Sequence, residues 1–409
     1  MEQMKLHTLN DVLEKIRESF NSFELETETI GIDHAIDRYI AEDIIAKEDL
    51  PAFNRSNVDG FAIISGDTLG ESGGRRSIFT QIGESEAGTE CKLILGVDEC
   101  VYVSSGAMIP PNADAVAHIE DCEIIGPLEV AIEGPIERWE NVVRKGGDFA
   151  NGEILLSKGN KIGIGEIAAL AGAGINHIKV FKKLSASLIS TGEELVESFN
   201  SSLKPGQSRD INSFTLSVAL KKLGVSAANM GITKGNARIM EDTLSKSLEN
   251  SDLVIITGGS STGKKDDAHN VIKRIEGIEI IADSIGIAPG SGTIIGKVEN
   301  KIIFGLPGNP ASAMLTLHLL VKPFIMFINK SFKENFVVTA RCQRSYKSRT
   351  KKEEYLLVSL ESDGNEYSVT SINGRAGYIT SLLNTDGFIR LRSSEDGLKE
   401  GQSVEVSLF

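Results

Sequence analysis

Residues Leu253–Asp267 read LVIITGGSSTGKKDD, and the rest of the chain is organised around them. Leu253 to Ile256 are consecutive apolar, mostly β-branched residues, the pattern of a short buried strand rather than a helix. Thr257-Gly258-Gly259 lets the chain turn tightly, because glycine takes positive φ without a Cβ clash. A polar loop, Ser260-Ser261-Thr262-Gly263, and the charged run Lys264, Lys265, Asp266 and Asp267 follow, and Ala268–Ile275 then reads as a helix. Strand, glycine turn, polar loop and helix in that order bind anionic ligands at the carboxyl end of a parallel sheet.

A single Gly-Gly turn fits a plain βα connection equally well, so the case rests on two companions. Ser190-Thr191-Gly192-Glu193-Glu194-Leu195 closes an earlier strand. Gly305-Leu306-Pro307-Gly308-Asn309-Pro310-Ala311-Ser312 closes a later one and opens a helix. All three present backbone N–H groups and hydroxyls, a nest for phosphate or an oxyanion. Glu194, Asp210, Asp266 and Asp267 would repel a bare anion, so a bridging divalent cation, Mg²⁺, is expected with them. Each of these acids alone is more often a helix cap or a solvated loop charge; the group carries the signal.

Around this centre, Ser185–Asn329 alternates strands and helices, which predicts a parallel α/β module over residues 181–329. Its last pieces are a hairpin-like pair, TIIGKV and KIIFGL, and an apolar helix over Pro310–Ile328 with proline in its first turn. Residues 330–409 revert to short strands and predict a small β-barrel or sandwich. Upstream, FAIIS, SIFTQI, CKLILG, CVYVSSG, AVAHIED and EVAI predict an all-β insert over 47–137. It interrupts a discontinuous domain made of 1–46 and 138–180. Within that domain, Thr8–Phe20 reads as a helix capped by Asn10, and Ile30–Ala46 as partly helical.

The chain has 409 residues, 41% hydrophobic and 24% charged, so several soluble domains are expected. A net charge of −14 argues against nucleic-acid binding, which wants a basic face. No apolar run approaches the roughly 20 residues of a membrane span, and the first residues do not read as a signal peptide. The four cysteines form no CxxC pair, which leaves a reducing cytoplasm as the expected setting. No Ser-His-Asp or Cys-His arrangement suggests a nucleophile. Phe53–Ala62, FNRSNVDGFA, reads by physics alone as a turn with Asp59-Gly60 at its corner.

Taken together and in order, these segments resemble the molybdopterin molybdenumtransferases of molybdenum cofactor synthesis, the bacterial MoeA proteins and the gephyrin E domain. LPAFNRSNVDGFAI is similar to LPxFDxSxMDGYAV, and SSGAMIPPNADAVAHIED to TGAPxPxGADAVVxxE. ISTGEELVE is similar to STGDEL, SRDINSF to YDSN, ITGGSSTGKKDD to SGGVSxGDxD, and FGLPGNPASA to GLPGNPVSA. The resemblance implies an elongated homodimer of four-domain subunits whose cleft is completed by the second copy. It implies insertion of molybdate, or tungstate, into adenylylated molybdopterin with release of AMP and with Mg²⁺ at the phosphoanhydride. The adenylyltransferase that makes this substrate and the apo-molybdoenzymes that receive the product are the implied partners.

Carried over by position, Asp59 is the functional aspartate of the first motif, and Ser105 and Asp148 lie in the next two. Glu194, Asp210 and Asp266 would position Mg²⁺ and water. The turns would hold phosphate and pterin through Thr191, Gly192, Gly258, Gly259, Ser261, Gly308, Asn309 and Ser312. The chain departs from the pattern at Lys264, where the family has an acid, and at Ala376, where it has serine. Its KPGKP segment, whose two lysines hold molybdate and the pterin phosphate, is Ala288-Pro289-Gly290-Ser291-Gly292 here. Those losses leave room for two other readings: a carrier that binds the pterin without inserting metal, or a molybdopterin adenylyltransferase.

Overall fold

In the computed structural model, residues 7–68, 76–199, 202–234, 236–258, 267–331, 336–348, 350–372 and 379–409 are described. The α/β module is built on a six-stranded sheet. Its strands, across the sheet, are Ser226–Ile232, Ser185–Ser190, Leu253–Thr257, Lys301–Leu306, Ile294–Val298 and Glu279–Ala282. The first four are parallel and the last two antiparallel, the hairpin included. Leu253–Thr257 lies between two parallel neighbours and is buried at every position, as its unbroken apolar run requires.

Helices cover both faces of this sheet. On one side Asn212–Lys222 and the long helix Pro310–Ile328 close a core containing Leu188, Leu253, Phe304 and Phe324. On the other, Ala237–Asn250 and Asp267–Arg274 pack over Ile189, Val254, Ile256 and Ile303. Helix Pro310–Ile328 is itself long and apolar enough to cross a membrane, contrary to the expectation that no such run exists. It contains a π-helical turn at Leu317–Val321, and 67% of its apolar stretch is buried, which marks it as a core helix.

The first helix spans Leu9–Ser19, and its cap is Thr8 rather than Asn10. Thr8 Oγ1 accepts from Asp11 N at 3.2 Å while Asp11 Oδ2 accepts from Thr8 N at 3.1 Å, so both exposed donors are satisfied reciprocally. Leu9, Val12, Ile16 and Phe20 enter the α/β core, with Phe20 edge-on to Phe324 at 5.1 Å. This helix therefore packs with the central module, although it lies in the segment grouped with 138–180.

Residues 30–46 are not helical beyond one 3₁₀ turn at Ile32–His34. Asp37 has φ 61°, and the backbone bonds sideways instead: Asp37 N to Ile162 O, Ile40 N to Asn160 O and Ala41 N to Lys179 O. With Thr27–Gly31 paired to His177–Phe181 and Ile44–Ile45 to Ile154–Leu156, the two separated segments share one core. The insert between them is a six-stranded half-barrel. CKLILG is not one of its strands. Asn112 ties down Leu95 by accepting from its N–H and donating to its carbonyl, at 3.0 and 2.8 Å. Cys122–Ile124, not expected from sequence, supplies the sixth strand.

The C-terminal strands Val337–Cys342, Glu353–Ser362, Tyr367–Ser371, Gly387–Leu391 and Ser403–Leu408 close into a barrel, since Glu353–Ser362 pairs with both Tyr367–Ser371 and Gly387–Leu391. Closure removes the free strand edges.

Candidate active site

Three strand ends meet at the carboxyl edge of the central sheet. Thr191 N donates to Thr257 O at 2.9 Å, and Gly258 N donates to Leu306 O at 3.3 Å, so each turn is stitched to the next. Gly258 has φ +91°, and a Cβ there would lie 2.1 Å from Thr191 O. A Cβ on Gly308 would lie 3.2 Å from Gly258 Cα. The glycines at these two positions are thus what lets the three turns approach one another.

They enclose a cavity of about 720 Å³. Thr191, Gly192, Glu194, Asp210, Gly258, Gly308 and Asn309 all line it. Asp210 is buried and its Oδ1 accepts from Ser213 N at 3.1 Å, at the start of helix Asn212–Lys222. Glu194 is exposed, and its carboxylate folds back over Gly192. Ser312 stands behind the cavity: its N–H and hydroxyl both reach Asn309 Oδ1, at 3.2 and 3.3 Å, and so fix the Asn309 side chain. Gly259, Ser261 and Asp266 lie outside the described residues.

Asn212 was not singled out in the sequence, although it sits in the quoted SRDINSF. Its Nδ2 donates to Gly308 O at 2.8 Å, while its buried Oδ1 has no partner among the described residues. The carboxylates of Glu194 and Asp210 are oxygen donors on residues lining the cavity, the ligand type that fits Mg²⁺. Among the described residues no three His, Cys, Asp or Glu side chains form a complete metal cluster.

Asp59, Ser105 and Asp148 do not line this cavity. Ser105 N donates to Asp59 Oδ1 at 2.8 Å, which joins two exposed turns of the half-barrel. Asp148 lies where the insert rejoins the chain, its N–H donating to Leu50 O at 2.9 Å. Cys100 and Cys122 are pushed up to about 12 by burial, so neither thiol supplies a nucleophile.

Fold and site define an α/β module with a glycine-turn cavity at its sheet edge, joined to a β half-barrel and a closed β-barrel. Residues 7–174 match the MoeA N-terminal region (domain I and II), 187–326 a probable molybdopterin binding domain, and 339–409 the MoeA C-terminal region (domain IV). The molybdopterin molybdenumtransferase of Staphylococcus aureus strain MSSA476 is 30% identical over 391 residues, 93% of this chain and 90% of that protein. That of Staphylococcus epidermidis RP62A is 29% identical over 396 residues, 94% and 92% of the two chains. A solved molybdopterin biosynthesis MoeA protein from Pyrococcus horikoshii superposes with a TM-score of 0.75 at 34% identity over 99% of both chains. A second, at 24% identity and TM-score 0.82, shares the fold. The chain belongs to the molybdopterin molybdenumtransferase family.

Proposed function

We propose that this enzyme of molybdenum cofactor biosynthesis inserts molybdate or tungstate into adenylylated molybdopterin and releases AMP. One observation carries the reading: three glycine turns converge on a cavity that is also lined by Glu194, Asp210 and Asn212. Gly192 and Gly308 leave backbone facing the ligand with no side chain between, so these turns hold phosphate and pterin, with Thr191, Gly258 and Asn309 lining the same cavity. Glu194, Asp210 and Asp266 would hold Mg²⁺. When bound, that ion supplies the charge that neutralises the phosphoanhydride oxygens. Asp59, backed by Ser105 N–H, and Asp148 act from the half-barrel side of a cleft completed by a second copy.

The homodimer is supported by an apolar face beside the cavity. Phe199 and Phe214 pack edge to face at 5.8 Å yet are 85% and 55% exposed. Val218, one helical turn on, is 48% exposed. Aromatic surface of this kind is covered in an assembly. The protein works in the cytoplasm, where its four cysteines stay free thiols.

The deciding experiment incubates the protein with adenylylated molybdopterin, Mg²⁺ and molybdate. AMP release with metal retained on the pterin is the expected result. Tight binding without AMP release, which the loss of the loop lysines favours, assigns a carrier instead. Pyrophosphate release from ATP assigns an adenylyltransferase. Light scattering that gives only the 44.0 kDa monomer mass would overturn the dimer.

A further inference from the structure

A second cavity, of about 580 Å³, lies between helix Asn212–Lys222, the long helix Pro310–Ile328 and Leu382, Thr385 and Phe409 of the C-terminal domain. It shares no lining residue with the glycine-turn cavity. Its volume is that of a small-ligand site. Phe214, Val218, Leu317 and Leu382 make its walls apolar, and the rings of His318 and Phe409 meet edge-on at 4.5 Å. Phe214 and Val218 are exposed at the rim, whereas Leu317 is fully buried.

Lys222, His318 and Lys322 line this apolar space as well. No side-chain carboxylate lines it, and among the described residues neither lysine has an ion-pair partner. Lys322 is half-buried, and burial holds its ammonium below the ordinary lysine range, so an unpaired charge stands in a desolvated place. His318 belongs to the π-helical turn Leu317–Val321, an irregularity frequent at functional sites. Its Nδ1 lies 3.1 Å from Met314 O, and a carbonyl only accepts, so Nδ1 carries the proton. Burial first, and then the Lys322 and Lys222 ammoniums, keep a second proton off the ring. Nε2 is left as a lone-pair acceptor with no protein donor among the described residues.

We propose that this cavity binds a small aromatic acid that bears a hydroxyl group. The ring lies against Phe214, Leu317 and Phe409, the anionic head meets Lys322 and Lys222, and the hydroxyl donates to His318 Nε2. His318 and Lys322 stand one turn apart on the same helix, so a ring with its two groups para spans them. Charge complementarity decides the class, because a purely apolar occupant would leave two ammoniums and the imidazole acceptor desolvated and unpaired. Phe214 and Val218 also belong to the face that the proposed second copy covers, and a segment of that copy is the rival occupant. The site is separate from the glycine-turn cavity, so it stands or falls independently of the proposed reaction.

The test titrates para-hydroxybenzoate into the full-length protein by calorimetry, with benzoate and para-hydroxybenzyl alcohol as comparators that lack the hydroxyl or the charge. The hydroxy acid should bind with a submillimolar Kd, the scale for a ligand of its size. Each comparator should bind roughly tenfold more weakly. Nitrogen NMR of the unaltered protein should show the His318 Nε2 resonance moving along the titration, a readout that requires no variant to fold. Saturating AMP should leave the affinity unchanged. Lys322→Met, which keeps the apolar stem, should weaken the hydroxy acid roughly tenfold, the scale of one charge-assisted hydrogen bond, and leave the alcohol unaffected. His318→Phe should erase the difference between the hydroxy acid and benzoate.

No heat with para-hydroxybenzoate at millimolar concentration overturns the proposal. So does displacement by AMP, which would move the ligand to the glycine-turn cavity. Binding by a monomer that is lost on dimerisation assigns the cavity to a segment of the second copy and overturns it too. Equal affinity for the acid and the alcohol, or an unchanged affinity in Lys322→Met, removes the ammoniums from the account with the same result. AMP release from adenylylated molybdopterin could persist through any of these outcomes, and the functional reading would then stand without this inference.

Discussion

Two walls of the same cavity are built in different ways. The wall of strand ends, Thr191, Gly258 and Gly308, is fixed by main chain packed on main chain, and a Cβ at Gly258 would collide with a carbonyl. The opposite wall, Gly290–Gly292, is a loop whose shape is set by hydrogen bonds from Thr293, Ile285 and His269. Backbone packing at Gly258 admits almost no side chain, whereas a loop held by hydrogen bonds can exchange its side chains without losing its shape. The difference teaches that one wall is fixed by exclusion and the other by bonds that leave its surface chemistry open to change.

The strongest way to break the first wall is Gly258→Val. Positive φ combined with contact against Thr191 O should cost roughly 3–5 kcal/mol, read as a fall in the urea midpoint. A variant as stable as the parent would show that the turns can separate. A purely chemical test of the same wall is Asp210→Asn or Asp266→Asn. Each should reduce AMP release by about 10²–10³ with little change in stability, since an electrostatic group is removed and shape is kept. AMP release at the parent rate would reduce that residue to a loop charge.

A control lies away from both walls. His318 is pushed down to about 4, chiefly by burial and then by the Lys322 and Lys222 cations, with its Nδ1 bonded to Met314 O. Between pH 6.5 and 4 the unfolded chain takes up a proton that the folded chain refuses. Stability present at pH 7 is therefore lost as the pH falls through that window, by at most roughly 3 kcal/mol. His318→Leu should flatten this dependence, so acid effects that survive in the variant belong to other groups. The smallest expected effect sharpens the second wall: Ala288→Lys with Ser291→Lys should strengthen molybdate binding about tenfold in calorimetry. A double variant that binds molybdate no better would show that this wall does not meet the oxyanion.

Much of the fold was legible because its elements carry one unambiguous period. Leu253–Thr257 is apolar throughout and is a central strand; Pro310–Ile328 is apolar with proline at its start and is the core helix. The misreadings fall where side chains from distant residues complete the backbone. Ile30–Ala46 has helical spacing but bonds to residues 152–181, and CKLILG looks like a strand but is held by Asn112. Thr8 and Asp11 carry the T-x-x-D pattern of a capping box in the sequence itself, and Asn10 two residues on only competes with it. In the site, glycine turns announce themselves, whereas Asn212 and His269 do not. One asparagine at a helix start and one histidine on an amphipathic helix mean nothing until their partners, Gly308 and Gly292, are in place.

The docking of helix Leu9–Ser19 has a consequence for how the protein is made. Val12, Ile16 and Phe20 belong to a core whose other half includes Phe304, Phe324 and Ile328. During synthesis at about 5–20 residues per second, the helix leaves the ribosome tens of seconds before its packing partners exist. The discontinuous domain and half-barrel can close meanwhile, since their pairings lie within residues 27–181. The amphipathic helix must wait in solvent with its apolar face uncovered. That interval is when a holdase would find this chain, and the Phe20–Phe324 contact is among the last to form.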